Sequence, residues 1–208
     1  RRQAASLGAI SLVLFSTYCV APAVAYGLAL WLQPAGHPHF LTAVMIMAAQ
    51  ASSLASALAL TVLSRGNQEL ALIFTLLSSS LTVVLTPLVL QFSIGASVEI
   101  PLGQMILKML FVIVIPVALG QTMRRFLWAM AKPLLKGIRL VPQLIILVFV
   151  YSGFSVATSQ ISGNADIVLR IVTLSALLHV FLLGWNYCVS VLLRMDSGTG
   201  TALIFCGS

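Results

Sequence analysis

Charge is what this sequence has least of. Of its 208 residues only 7% are Asp, Glu, Lys or Arg, against roughly 25% in a soluble domain. The four acids, Glu69, Glu99, Asp166 and Asp196, lie at the ends of apolar runs. They fall two on each side of a membrane if those runs alternate, so no pair can meet for acid–base work. No G-x-x-x-x-G-K-[ST] loop and no G-x-S-x-G elbow occur, which removes P-loop ATP hydrolysis and leaves the serines without the setting of a nucleophile. Cys19, Cys188 and Cys206 stand far apart in apolar segments, where a thiol behaves as a small hydrophobe, so neither a disulfide nor a metal is expected. His37 and His39 form an H-x-H with no Cys or carboxylate beside it and read as a solvated loop. The expectation is a protein that is not an enzyme and holds no cofactor.

Apolar length is what the chain has in abundance. Sixty per cent of the residues are hydrophobic and the mean hydropathy is +1.10, which places the chain in a lipid bilayer, the expected site being the cell (inner) membrane. A hydrocarbon core of about 30 Å takes about 20 apolar residues per helical crossing. Six runs meet that length, at 6–32, 40–64, 68–92, 103–123, 142–160 and 167–193, and a seventh begins at 198 and is still open at Ser208. The fold class expected is an all-α integral membrane protein, a multi-span helical bundle, with 1–208 a single membrane domain. Opening at Arg1 and stopping in mid-helix, the chain reads as a piece of a longer protein.

The net charge of +7 is a matter of topology, not of nucleic acid. Arg1, Arg2, Arg65, Arg124, Arg125, Lys132, Lys136, Arg139 and Arg194 all fall on one side if the spans alternate, while the opposite loops carry no Lys or Arg. By the positive-inside bias that side is cytoplasmic, and so is the amino terminus. Lys108 lies near a span end and can snorkel; Arg170 follows Asp166 at i, i+4 spacing and can pair with it. Residues 124–140, with five basic side chains among Phe126, Leu127, Met130, Leu134, Leu135 and Ile138, suit an amphipathic helix in the interface, interrupted at Pro133.

Polar groups deep in the second and third runs carry the functional reading. Gln50, Ser52, Ser53, Ser56 and Thr61, then Thr75, Ser78, Ser79, Ser80, Thr82 and Thr86, would lie where no water competes for them. Such groups face protein or a wet cavity and mark a solute or ion path. Ser78, Ser79 and Ser80 are turned about 100° from one another and cannot all serve one packing seam. Pro22, Pro87 and Pro116 predict kinked or broken helices, and the small polar stretch 50–56 predicts a break in the second span without proline. Broken helices expose amide and carbonyl ends that attract anions and cations respectively. His179 and Asn186, seven apart on the sixth span, share a face, which adds His179 as a path candidate.

Two motifs resemble a known family. The run Leu60-Thr61-Val62-Leu63-Ser64-Arg65-Gly66-Asn67 and the later Leu85-Thr86-Pro87-Leu88 are similar to segments of the bile acid:sodium symporter superfamily. The terminal Ala202-Leu203-Ile204-Phe205-Cys206-Gly207-Ser208 looks like the start of a crossing helix in its SBF-like branch. The resemblance implies a ten-helix inverted-repeat transporter fold with broken crossing helices, of which this chain would hold helices three to eight and the start of nine. It assigns 6–92 and 167–208 to core-type helices and 103–160 to panel-type helices, with 124–140 as their connector. It further implies sodium-coupled uptake of organic anions, Thr75 matching a sodium ligand. Ala57-Leu58 stand where sodium-using members have Ser-Asn, Ala71 where a second hydroxyl would be, and Phe205 near the position of a shared glutamate. The coupling ion is therefore left as Na+ or H+. The expected function is secondary active transport of a small organic anion, bile-acid-like or a carboxylate. Gln50, Ser52, Ser53, Ser56 and Thr61 would line the path, Thr75 and Ser78 or Ser79 would face them, and Cys206, Gly207 and Ser208 would complete it. A membrane regulator or receptor that kept the fold without transporting is the alternative.

Overall fold

The computed structural model describes residues 2–34, 37, 39–95, 102–131, 141–161 and 164–208, which are helical with short connections and, among the described residues, contain no strand. The order is α1 (Arg2–Phe15), a π-turn (Ser16–Val20), α2 (Ala21–Leu32), α3 (His39–Ala48), α4 (Leu54–Leu63), α5 (Gln68–Ile94), α6 (Leu102–Ala131), α7 (Val141–Ile161), α8 (Ala165–Leu192) and α9 (Ser197–Cys206). Three helical stretches, Gly8–Leu32, Gln68–Ile94 and Ala165–Leu192, are long and apolar enough to cross a membrane. The second predicted span is instead divided into α3 and α4. Each of these has ten residues and a length of about 15 Å, about half of what a hydrocarbon core of about 30 Å requires.

Local chemistry accounts for the interruptions. Pro22 has no N–H for the carbonyl of Tyr18 and its ring crowds that group. The turn before it widens, and the Ala21 N–H bonds Ser16 O, five residues back. One extra residue is thereby absorbed without breaking the rod, as π-bulges do. Pro87 and Pro116, by contrast, lie inside the continuous helices α5 and α6, so of the kinked or broken helices expected there neither is broken. The final helix also differs from expectation. It ends at Cys206, where Gly207 N–H bonds Leu203 O at 2.9 Å.

The turns after α4 and α8 are built alike. Arg65 (φ 55°) and Arg194 (φ 50°) both take the left-handed conformation, which costs a non-glycine residue roughly 1–2 kcal/mol. In return the helix ends are closed: Gly66 N–H bonds Thr61 O (2.8 Å) and Met195 N–H bonds Ser190 O (3.0 Å), with Arg65 N–H on Val62 O and Arg194 N–H on Val191 O, the Schellman pattern. Asn67 and Asp196 then cap the following helices, accepting from Leu70 N–H (3.1 Å) and Thr199 N–H (2.9 Å). That Thr199 N–H holds the Asp196 carboxyl below the ordinary range. A lowered folded-state pKa adds stability above the unfolded pKa and loses it as pH falls through the folded one. Asp196→Ala is expected to cost about 1 kcal/mol at neutral pH, and Asp196→Asn to keep most of the cap while flattening the acid limb of stability; thermal melts from pH 3 to 7 check both.

The chain divides into two compact units, Arg1–Ile106 with Arg170–Ser208, and Leu107–Leu169. In the first, α5 is the common spine. Its early half packs with α1, α4 and α9 through Ala9, Val13, Ala57, Ala71, Phe74, Ala202, Leu203 and Cys206. Its late half packs with α3 through Met45, Ala49, Leu90 and Ile94, while α2 lies against α3. Helix α8 buries the stripe Leu174, Leu178, Leu182, Asn186 and Ser190 and is tied to the first span at both ends: Arg170 Nη1 donates to Leu32 O (3.1 Å), and Asn186 Oδ1 accepts from Ser16 Oγ (2.7 Å). In the second unit the described side chains of α7 from Leu144 to Val156 are exposed, an apolar surface of the kind lipid covers. Lys132–Leu140, the later part of the expected interfacial connector, and Glu99 lie outside the described residues; residues 124–131 continue α6 as one helix.

A polar cavity at the gap between α3 and α4

Between the two ends of α5 the first unit leaves a cavity of about 450 Å3. It is bordered by the π-turn of the first span, the gap between α3 and α4, and the end of α9. The gap runs from Ala49 to Ser53, overlapping the first part of the 50–56 stretch that predicted it, with the helix resuming at Leu54. Its freed groups are partly met. Thr86 Oγ1, beside Pro87, donates to Ala49 O, and Gln50 Nε2 reaches back to Ile46 O at 3.1 Å. The hydroxyl of the Leu-Thr-Pro-Leu motif thus holds the broken end of α3 from across the bundle. At the other side of the gap the first turn of α4 has no side-chain cap: Ser53 makes none, and the Ser56 hydroxyl turns back to Ser53 O at 3.3 Å. The positive end of α4, worth about half an elementary charge, therefore opens on the cavity.

Of the residues expected in a path, Gln50, Ser52, Ser53, Ser56, His179, Gly207 and Ser208 line the cavity. The others do not. Thr61, 0% exposed, donates to Ala57 O at 2.7 Å, and Thr75, 0% exposed, to Ala71 O at 2.8 Å. A hydroxyl on a helix can satisfy itself four residues back, and these two do. Ser78 is buried against Tyr18, whose hydroxyl donates to Ser78 O at 2.8 Å. Ser79 and Ser80 are exposed, Ser80 bonding Leu76 O. Cys206 belongs to the apolar cluster under α9, with Ala71 O as its partner at 3.7 Å. The third-span hydroxyls thus serve packing and local bonding.

Residues that the sequence did not single out complete the wall: Thr17, Ala21, Ser175 and Phe205 among them. Thr17 lies in the π-turn between two anchored neighbours. On one side Ser16 Oγ donates to Asn186 Oδ1 and accepts from Trp185 Nε1 at 3.1 Å. On the other, Tyr18 OH reaches Ser78 O and lies 2.6 Å from Thr82 Oγ1. Thr17 is 6% exposed, and its Oγ1 has no hydrogen-bond partner. An unmet buried hydroxyl costs about 1–3 kcal/mol. The signal for it was present in Ser16-Thr17-Tyr18, a run of hydroxyls deep in the first span just before Pro22. Asn186 in turn presses on the end of α9, since a Cβ on Gly207 would lie 2.9 Å from its Oδ1.

Around the cavity wall, His179 is the one titratable side chain among the described lining residues, and no carboxylate, lysine or arginine lies there. With hydroxyls, one amide, an imidazole and a helix N-terminus, the wall offers hydrogen bonds and a fixed positive partial charge. That chemistry suits a small solute bearing negative charge.

The model of the SBF-like CPA transporter family (DUF4137) matches residues 2–208, and the chain belongs to that family. It is an integral membrane protein of a transporter family. No curated protein matches it.

Proposed function

We propose that this member of the SBF-like CPA transporter family carries a small organic anion by secondary active transport, with the anionic group held at the uncapped N-terminus of α4. The observation that carries this reading is the uncapped first turn of α4 opening on a hydroxyl-lined cavity free of acidic side chains among its described lining. Gln50, Ser52 and Ser56 supply hydrogen bonds around the solute, and the wall at Gly207 and Ser208 closes the far side. Division of the chain into two compact units suits alternating access by rocking of one body, with the ten-helix inverted repeat as the complete form of the fold. The cell membrane is its proposed location, with the basic loops inside.

Protons are favoured over sodium as the coupling ion. A hard cation such as sodium wants several oxygen ligands, yet Thr75, the expected ligand, is turned to its own helix. An imidazole, which can donate or accept a hydrogen bond through its ring nitrogens, borders the cavity at His179. Proteoliposomes test the reading with labelled lactate, succinate and cholate under imposed proton or sodium gradients. The expected result is at least ten-fold accumulation of one of these over protein-free vesicles, driven by the proton gradient and lost in His179→Leu. Accumulation of none under either gradient would sink the proposal of transport; a purely sodium-driven signal would overturn the choice of ion alone.

A further inference from the structure

We infer that Thr17 is a solute-binding residue, presented to the cavity by the π-turn, and that it selects for anions bearing a second hydrogen-bonding group. The inference rests on the carboxylate-binding reading of α4 and adds a contact on the opposite wall. Two side-chain polar atoms among the described residues are buried without a partner, Gln91 Oε1 and Thr17 Oγ1. Only Thr17 borders the cavity.

The local geometry explains why the orphan is there. Within the π-turn, Ser16 is held by Asn186 and Trp185 of α8, and Tyr18 by Ser78 and Thr82 of α5. These two anchors fix the turn from both sides, and Thr17 between them borders the cavity with its own Oγ1 buried. An ordinary helical threonine satisfies its hydroxyl four residues back, as Thr61, Thr75 and Thr82 do in this chain. Thr17 makes no such bond. Threonine on a helix divides between two χ1 wells, so a change of rotamer can move the hydroxyl toward a solute. At a buried hydroxyl the presence or absence of a matching group on the solute counts heavily, because an unmatched partner stays unpaired.

Purified full chain in nanodiscs tests this with three pairs of acids that differ by one hydroxyl: propionate and lactate, butyrate and 3-hydroxybutyrate, succinate and malate. Thermal stabilisation is titrated for the parent protein, Thr17→Val and Thr17→Ser. The expected result is tighter binding of the hydroxylated member of at least one pair, a roughly ten-fold weaker apparent affinity for it in Thr17→Val, and recovery in Thr17→Ser. The unliganded Thr17→Val protein should melt no lower than the parent, since it loses a hydroxyl that bonds nothing. Retained preference in Thr17→Val, or a lower unliganded melt, overturns the role of Thr17 while leaving the α4 site standing. Absence of stabilisation by any of the six acids overturns both.

Discussion

Gly66→Ala is expected to destabilise the protein by about 3 kcal/mol and to abolish recovery of a monodisperse species at elevated temperature. A Cβ at this position would lie 2.7 Å from Thr61 Cγ2, 2.8 Å from Thr201 Cγ2 and 2.9 Å from Thr201 Cβ, all closer than carbon atoms approach. Neither threonine can swing aside freely. Thr61 Oγ1 is bonded to Ala57 O and Thr201 Oγ1 to Ser197 O, and both side chains are β-branched with few rotamers. Gly66 N–H also closes α4 on Thr61 O, and the next residue, Asn67, donates its N–H to Gly198 O at 3.0 Å. Three segments, the end of α4, the start of α5 and the first turn of α9, therefore meet at one missing side chain. Overpacking of this kind costs about 1–3 kcal/mol in general, and the upper end applies because two walls are fixed. Thermal melts of the purified variant check it; a melt within a degree of the parent would show that these segments are loosely joined.

Ser53→Asp is expected to hold or raise stability and to cut organic-anion uptake at least 100-fold. Ser53 occupies the N-cap of α4 without making the capping bond. Aspartate there can accept from the first-turn amides and complement the helix dipole, a gain of about 0.5–1 kcal/mol. The same carboxylate fills the donors that the solute's anionic group would use and repels it. Two like charges at 4 Å in a partly screened site interact by about 4 kcal/mol, more than enough for a 100-fold loss. The pairing of the two readouts separates a spoiled site from a spoiled fold. Undiminished uptake by a stable Ser53→Asp protein would remove the α4 terminus from the site.

How far the site could be read in the chain differs from residue to residue. The interruption of the second span was legible because small and polar residues replace bulky ones over 50–56 in a run that otherwise favours an apolar helix, and the helix stops at Ala48 and resumes at Leu54. The turn at Ser64-Arg65-Gly66-Asn67 was legible as punctuation, though not its left-handed arginine, since glycine rather than arginine usually takes that conformation. Thr61, Thr75 and Ser78 carried the same signal as Ser52 and Ser56, an oxygen deep in an apolar run, yet they do not line the cavity. A hydroxyl either bonds back to its own helix or reaches outward, and the choice rests with whatever faces it. Thr17 escaped notice for a different reason. The π-turn inserts one residue into the first span, and the shift of about 100° that follows defeats any reading of faces from a constant helical period.

Composition and the length of the apolar runs by themselves made this a helical chain for a lipid setting. In hydrocarbon every backbone group must be satisfied within the protein, and uninterrupted apolar runs of about 20 residues meet that need as helices. Placement of the weak point in the second span also followed from local preference. Only tertiary structure decided which oxygens surround a common space. The gap between α3 and α4, the widened turn at Thr17 and the end of α9 are distant in the chain and meet through helix packing along α5, a relation that no local pattern encodes. The partners that Thr61 and Thr75 found, and that Thr17 lacks, were set by that meeting.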